Sequence, residues 1–224
     1  MLKKISSHLS LSTQQTLKRL HFARLIRKGV FTTAEECDTE FPRLGEWISP
    51  GDWVLDIGAN VGNYTARMSE LVGPTGRVIA FEPVLESFEL LVANLARFPL
   101  RNVSFVNVAV SSATALVGMS MPTLDSGMEN RYMAHVVEGG GGSLSVLSIP
   151  VDQFDFTHPI RLVKIDVEGH ELQALRGMEG LLRRHHPRLI VEGRDAEVAA
   201  YLATFGYEFT EREGSPNRVF TVRA

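Results

Sequence analysis

A single cysteine, Cys37, in 224 residues excludes an internal disulfide. A reducing, cytoplasmic setting is therefore expected, and nothing around Cys37 marks it as a nucleophile. Long apolar runs are missing as well: none approaches the roughly 20 residues of a membrane span. Acids are absent from residues 1–28, which carry Lys3, Lys4, Lys18, Arg19, Arg24, Arg27 and Lys28. The other 196 residues hold 16 basic and 26 acidic side chains, a net −10, and the whole chain is −3, which argues against general nucleic-acid binding. The basic segment reads as a solvated, partly docked helical arm, with a membrane-surface or RNA-contacting helix and an organelle transit peptide as alternatives. Its apolar residues Leu17, Leu20, Phe22, Leu25 and Ile26 form no single stripe. The length suits one domain with a sizeable core, and there is no internal repeat.

What is present alternates. Residues 35–48 read as a helix burying Phe41, Leu44 and Ile48, stopped by Pro50-Gly51. Trp53–Ile57 is a strand, and Tyr64, Met68 and Leu71 then recur at helical spacing until Gly73-Pro74. Arg77–Phe81 is a nearly all-apolar strand, covered on both faces. Residues 85–98 form a helix and 103–110 a third strand. The pattern then changes to a strand at 115–121, a long loop at 122–143 holding Gly139–Gly142, and a strand at Leu144–Ile149 that pairs back on 115–121. A helical turn at 151–156 leads to a strand at Ile160–Ile165, a helix at 170–184, a strand at 188–191, a helix at 196–205 and strands at 207–212 and 218–222. This order predicts an α/β chain: a doubly wound, mostly parallel seven-stranded sheet with a C-terminal antiparallel hairpin. Residues 1–48 are the arm and a lead-in helix; residues 49–224 are the sheet domain, with an inserted hairpin and loop at about 115–149.

Residues 53–64, Trp-Val-Leu-Asp-Ile-Gly-Ala-Asn-Val-Gly-Asn-Tyr, are the strongest local signal. Strand, glycine turn and helix N-terminus follow one another, as they do where α/β sheets hold nucleotide-like cofactors. A dinucleotide turn wants G-x-G-x-x-G. Here Asn60 replaces the glycine that lets backbone approach a pyrophosphate, and Asp56 would repel one. A carboxylate suits instead a cofactor bearing an ammonium and a sulfonium, which describes S-adenosylmethionine. Gly58, Asn60, Gly62, Asn63 and Tyr64 complete this candidate cofactor turn. Glu82, followed by Pro83, ends the second strand, where an ionised carboxyl accepts from both ribose hydroxyls. Asn107 is placed either for an adenine edge or as a turn-capping amide.

Residues 163–171, Val-Lys-Ile-Asp-Val-Glu-Gly-His-Glu, are the second dense segment. Asp166 and Glu168 share a face if strand geometry persists. With His170 and Glu192 they gather acids and bases on the sheet edge that right-handed crossovers also give to Asp56, Glu82 and Asn107. Methyl transfer from a sulfonium is an in-line displacement, so the protein mainly positions the acceptor and excludes water. An acceptor hydroxyl must also lose a proton, to Asp166, Glu168 or His170, or with a divalent metal lowering its pKa. Asp166, Glu168 and Glu192 are hard oxygen donors, suited to Mg²⁺ rather than Zn²⁺. The plainer alternative is that Glu168 and Glu171 favour a helix N-terminus and Lys164 pairs with a neighbouring acid. His185-His186 before Pro187 reads as an ordinary basic helix end. In the long loop, Asn130, Tyr132 and His135 are candidate acceptor contacts.

Val-Leu-Asp-Ile-Gly-Ala-Asn-Val-Gly-Asn-Tyr, Val-Ile-Ala-Phe-Glu-Pro, Val-Lys-Ile-Asp-Val-Glu-Gly-His-Glu and Pro-Arg-Leu-Ile-Val-Glu, in that order over about residues 50–192, resemble the FkbM family of S-adenosylmethionine-dependent methyltransferases. The resemblance implies the Rossmann-like class I methyltransferase fold and O-methylation of hydroxyls on sugars or polyketide-type natural products. It also implies cofactor residues at Gly58–Tyr64 and Glu82, and motif residues at Asp166 and Glu168. Residues 1–35 and 122–143 match nothing in it. The expected partner is a small-molecule or glycan acceptor, with peripheral membrane contact through residues 1–28 and a homodimer both compatible with the sequence. Methylation of nucleic acid or protein is the alternative, though no Asn-Pro-Pro-Tyr-like motif is present. A non-catalytic S-adenosylmethionine-binding protein is a third reading, against which the intact Asp56, Glu82 and Asp166 argue. Asn60 and Asp56 disfavour a nicotinamide oxidoreductase.

Overall fold

The computed structural model describes residues 11–32, 38–121, 134–137 and 141–223. In chain order its strands are β1 (Trp53–Ile57), β2 (Arg77–Phe81), β3 (Val103–Val106), β4 (Ala109–Val110), β5 (Ala115–Ser120), β6 (His135–Val137), β7 (Leu144–Ile149), β8 (Ile160–Ile165), β9 (Arg188–Glu192), β10 (Tyr207–Glu211) and β11 (Asn217–Val222). The helices are α1 (Leu11–Arg27), α2 (Leu44–Trp47), α3 (Asn63–Val72), α4 (Leu85–Leu95), α5 (Glu171–Arg176), α6 (Glu179–His185) and α7 (Ala196–Ala203). The main sheet runs β10-β11-β9-β8-β1-β2-β3, and only β11 runs opposite in direction to the other six strands. This is the doubly wound seven-stranded sheet with a terminal hairpin that the element order predicts.

Strand alternation decides what each face buries. Val54, Val78, Leu162 and Ile190 point to the side of α2 and α3, where they meet Phe41, Leu44, Met68 and Val72. Leu55, Ile79, Val163 and Leu189 point the other way, onto Leu175 of α5, Leu181 of α6 and Leu202 of α7. Asp56, Lys164 and Ile190 are register partners across β1, β8 and β9. Alternation therefore puts the ionisable Asp56 and Lys164 on the α3 face, in line with Asp166 just beyond β8 and Glu192 at the end of β9. The lead-in segment is tied to the opposite end of the chain: buried Glu40 accepts from Thr39, from Ser215 at 2.6 Å and from Asn217 at 3.2 Å.

The inserted segment departs from expectation. The strand expected at 103–110 breaks at Asn107, and Ala109–Val110 joins a second sheet ordered β4-β7-β5-β6. The predicted antiparallel pairing of β5 with β7 is present. The expected structureless loop contributes a strand, because His135–Val137 pairs with Gly118–Ser120. The helix expected at 170–184 is two helices. A Cβ at Gly177 would lie 2.0 Å from the Ser111 carbonyl oxygen, so the chain flanking the insert packs on this point, and Asp152 caps a fresh N-terminus through Gly180 and Leu181 N–H. The lead-in helix shortens to a 3₁₀ turn at Phe41–Arg43 and one turn of α2, its first residues lying outside the described set.

Candidate active site

Gly58 turns out of β1 at φ +79°, and a Cβ there would lie 1.8 Å from the Asp166 carbonyl oxygen. The glycine is needed because the end of β8 passes against the turn. Gly62, at φ +97°, leaves room for Leu91 and Leu95 of α4 in the same way. Asn60 adopts the left-handed conformation that asparagine tolerates (φ +50°). The turn's amides are consumed internally: Gly58 and Ala59 N–H donate to the Phe81 carbonyl, Asn60 N–H to Glu82 Oε2 at 2.9 Å, and Gly62 N–H to the Ala59 carbonyl. Those N–H groups are the ones a dinucleotide turn aims at a pyrophosphate, so this turn has little to offer a phosphate.

Glu82 faces a cleft of about 240 Å³ at the C-terminal edge of the sheet. Its two oxygens accept one N–H each, from Asn60 and Val84, and retain acceptor capacity. Burial pushes its carboxyl up to about 7. Val108, Val110 and Met119 form an apolar wall supplied by the insert and its approach, and Ala134 and Val136 of the β6 segment close it. Sequence reasoning missed this wall. The Val-Ala-Val run at 108–110 is its signal, readable as a site only once the second sheet is seen to fold over the edge.

Across the cleft stand Asp166, Glu168, His170 and Glu192. Lys164 Nζ, itself buried, reaches Asp166 Oδ2 at 2.8 Å and lies 4.7 Å from the centre of the Tyr64 ring. The neighbouring Lys164 ammonium and a hydrogen bond from Glu192 hold the Asp166 carboxyl below its ordinary value against the opposing effect of burial. Burial and the adjacent Asp166 push Glu192 up to about 8, so the pair shares one proton at neutral pH, with Glu192 carrying it. Glu168 converges on them through left-handed backbone at Glu168 (φ +53°) and Gly169 (φ +91°) rather than through strand alternation, since β8 ends at Ile165. Burial, then Asp166, raises the Glu168 carboxyl. Carboxylate oxygens of Asp166, Glu168 and Glu192 lie within 4.8 Å of one another. His170 Nε2 is 3.0 Å from Ser111 Oγ.

Gly58, Asn60, Glu82, Pro83, Asp166, Glu168, His170 and Glu192 thus share one cleft, while other candidates do not reach its wall. Asp56 is completely buried beneath it. Thr65 donates to Asp56 Oδ2, Oδ1 has no partner among the described residues, and burial raises the carboxyl. It lies under the turn and does not line the cleft. Asn107 donates its amide to the Glu82 and Pro83 carbonyls, the turn-capping role. Tyr64 donates to Asp38 and stacks beside Lys164, and Asn63, Gly62 and Tyr64 all belong to the α3 start behind the cleft. His135 acts on Glu168 electrostatically without lining the cleft. Asn130 and Tyr132 lie outside the described residues.

The proton on Glu192 gives a stability test. A carboxyl raised from an ordinary 4.5 to about 8 contributes stability that is fully present below 4.5 and lost as pH rises towards 8. Glu192→Gln, a neutral mimic, is expected to match the wild type near pH 5 and to melt higher at pH 8.5. The expected gain is about 1–2 kcal/mol after discounting for solvent screening, or roughly 2–8 °C. Equal melting curves at both pH values would show that Glu192 titrates normally.

The model of the FkbM methyltransferase domain matches residues 56–209. Over 143 residues the chain is 27% identical to hexuronic acid methyltransferase AglP of Haloferax volcanii, covering 62% of this chain and 55% of that protein. A shorter match, 43% over 59 residues, is to a protein-L-isoaspartate O-methyltransferase of Methanothrix thermoacetophila, covering 26% and 28% of the two chains. The chain thus spans about half the length of the first relative and less of the second. Among solved structures, an FkbM methyltransferase of Methylobacillus flagellatus superposes with a TM-score of 0.57 at 18% identity, covering 77% of this chain and 43% of that one. Fibrillarin of Aeropyrum pernix with bound S-adenosylmethionine superposes with a TM-score of 0.50 at 13% identity, covering 79% and 68%. These structures share the class I methyltransferase fold. With the domain match extending from the cofactor turn into the terminal hairpin, the chain belongs to the FkbM-domain family of S-adenosylmethionine-dependent methyltransferases.

Proposed function

We propose that the cleft methylates a hydroxyl of a sugar, glycolipid or related natural product, with S-adenosylmethionine as donor. The convergence of Asp166, Glu168 and Glu192 opposite Glu82 carries this reading. Glu82 would accept from the ribose hydroxyls, and the apolar wall at Val108 and Val110 suits a planar base. The cofactor supplies a methyl group already activated on a sulfonium. The protein's share is to place the acceptor oxygen and take its proton. Asp166, kept ionised by Lys164, accepts the acceptor's hydrogen bond. Glu168, with a raised pKa, is the stronger base and receives the proton. The trio has the hard oxygen donors that Mg²⁺ prefers, and these residues would be its ligands. Lys164, already on Asp166, supplies a positive charge there, so no step is assigned to a metal.

The same carboxyls limit the acceptor. Among the described residues of the cleft wall, four are carboxylic acids, one is histidine and none is lysine or arginine. Such a wall accepts from neutral polyols and repels nucleic-acid phosphates and uronates. In an assay of labelled methyl transfer, neutral glycosides are expected to be methylated at least about tenfold faster than matched uronates, from roughly 1.4 kcal/mol of repulsion. Preference for the uronates would overturn this assignment, and transfer to amines alone would overturn O-methylation.

A further inference from the structure

The apolar residues of α1 that make no single stripe in sequence divide between two faces. Phe22, Leu25 and Ile26 turn inward onto Phe31, Leu91 and Leu95, and Arg19 pairs with Glu89 of α4 at 3.0 Å. These contacts fix the rotation of the helix and hence what it shows to solvent. Leu17, Leu20, Arg24 and Arg27 follow at intervals of three, four and three residues, so they share the opposite face. All four are exposed, Leu20 at 63% and Leu17 at 47%. Lys28 extends the strip, and no acid occurs in residues 1–28.

The inward face already docks this helix, so the outward leucines add nothing to its packing. Leucines flanked by guanidinium groups suit a helix lying in the plane of an anionic bilayer surface. The apolar side chains reach the acyl boundary and the cations meet headgroup phosphates. The rest of the chain, net −10, is repelled by the same surface, which confines contact to this strip and orients the protein. We propose that the outward face of α1 seats the protein on an anionic lipid surface. An RNA or other polyanion would use the arginines and leave Leu17 and Leu20 without a role.

Co-sedimentation of the full chain with mixed phosphatidylcholine–phosphatidylglycerol vesicles, and with pure phosphatidylcholine vesicles, tests this. Partitioning is expected to be at least roughly tenfold stronger on the anionic vesicles. Leu17→Ser/Leu20→Ser and Arg24→Gln/Arg27→Gln are each expected to weaken it roughly tenfold, with thermal melting unchanged because these side chains face solvent. Equal partitioning to both vesicle types, or none to either, would overturn the proposal. Full binding by the leucine variant, with loss confined to the arginine variant, would overturn it in favour of a polyanion site. The methyltransferase reading stands or falls separately, because the assay contains neither donor nor acceptor.

Discussion

Asp166→Asn is expected to lower the rate of methyl transfer by about 10²–10³-fold while leaving S-adenosylmethionine affinity within about threefold of wild type. Asp166 lies where three groups meet. Lys164 Nζ stands 2.8 Å from one oxygen, Glu192 donates its proton to the carboxylate, and the cleft opens on the remaining acceptor capacity. An asparagine amide keeps the volume but offers one acceptor oxygen where the aspartate has two. Its NH₂ group must face the Lys164 ammonium, the Glu192 proton or the acceptor hydroxyl, and all three are donors. The buried ammonium loses its partner as well, so the electrostatics that keep an ionised acceptor at this point collapse. Single-turnover transfer separates this from product release. An unchanged rate would make the acid structural, and a matching loss of donor affinity would make it a cofactor residue.

Glu82→Ala is expected to weaken S-adenosylmethionine binding by about a hundredfold, or about 2.8 kcal/mol. Among the described residues Glu82 is the one acid on the β2 side of the cleft, and in the proposed role its removal takes away both oxygens that would accept from the ribose hydroxyls. It also uncaps the Asn60 and Val84 N–H groups that shape the turn. The same residue predicts a pH dependence. Its carboxyl sits at about 7, and a ligand whose hydroxyls donate to the ionised form binds less tightly as pH falls through that value. The loss approaches tenfold per unit below it. Titration calorimetry at pH 8 and pH 6 should show this slope in the wild type and a flat profile in Glu82→Ala. The same slope in both proteins would remove Glu82 from the ribose role.

The sheet was legible because its strands carry their burial in their pattern. Val78, Ile79, Ala80 and Phe81 are apolar in succession because helices cover both faces, and the α/β alternation orders the strands. Glu82 and Asp166 were legible because the end of a strand, at the turn into the next helix, fixes where a side chain emerges. For Asp56 the sequence gives the strand position but not the depth: it lies inside β1, whereas Glu82 and Asp166 stand just past their strands, and it is buried and accepts from Thr65. Asn107 was ambiguous until the Glu82 and Pro83 carbonyls were seen within its reach. The apolar wall was illegible because it depends on contacts between β4, β5, β6 and β7, whose pairing crosses a segment without period. Gly58, read as part of the cofactor turn, lines the cleft, and its missing side chain also leaves room for the Asp166 carbonyl.

Calorimetric titration of the wild-type chain with S-adenosylmethionine and, separately, with NAD tests the central claim most directly. The amides at 58, 59, 60 and 62 are spent within the protein, and the described polar lining of the cleft holds four carboxylic acids and no lysine or arginine. S-adenosylmethionine is therefore expected to bind with one site per chain, and NAD to give no measurable heat. Binding of NAD with no heat from S-adenosylmethionine would contradict the account.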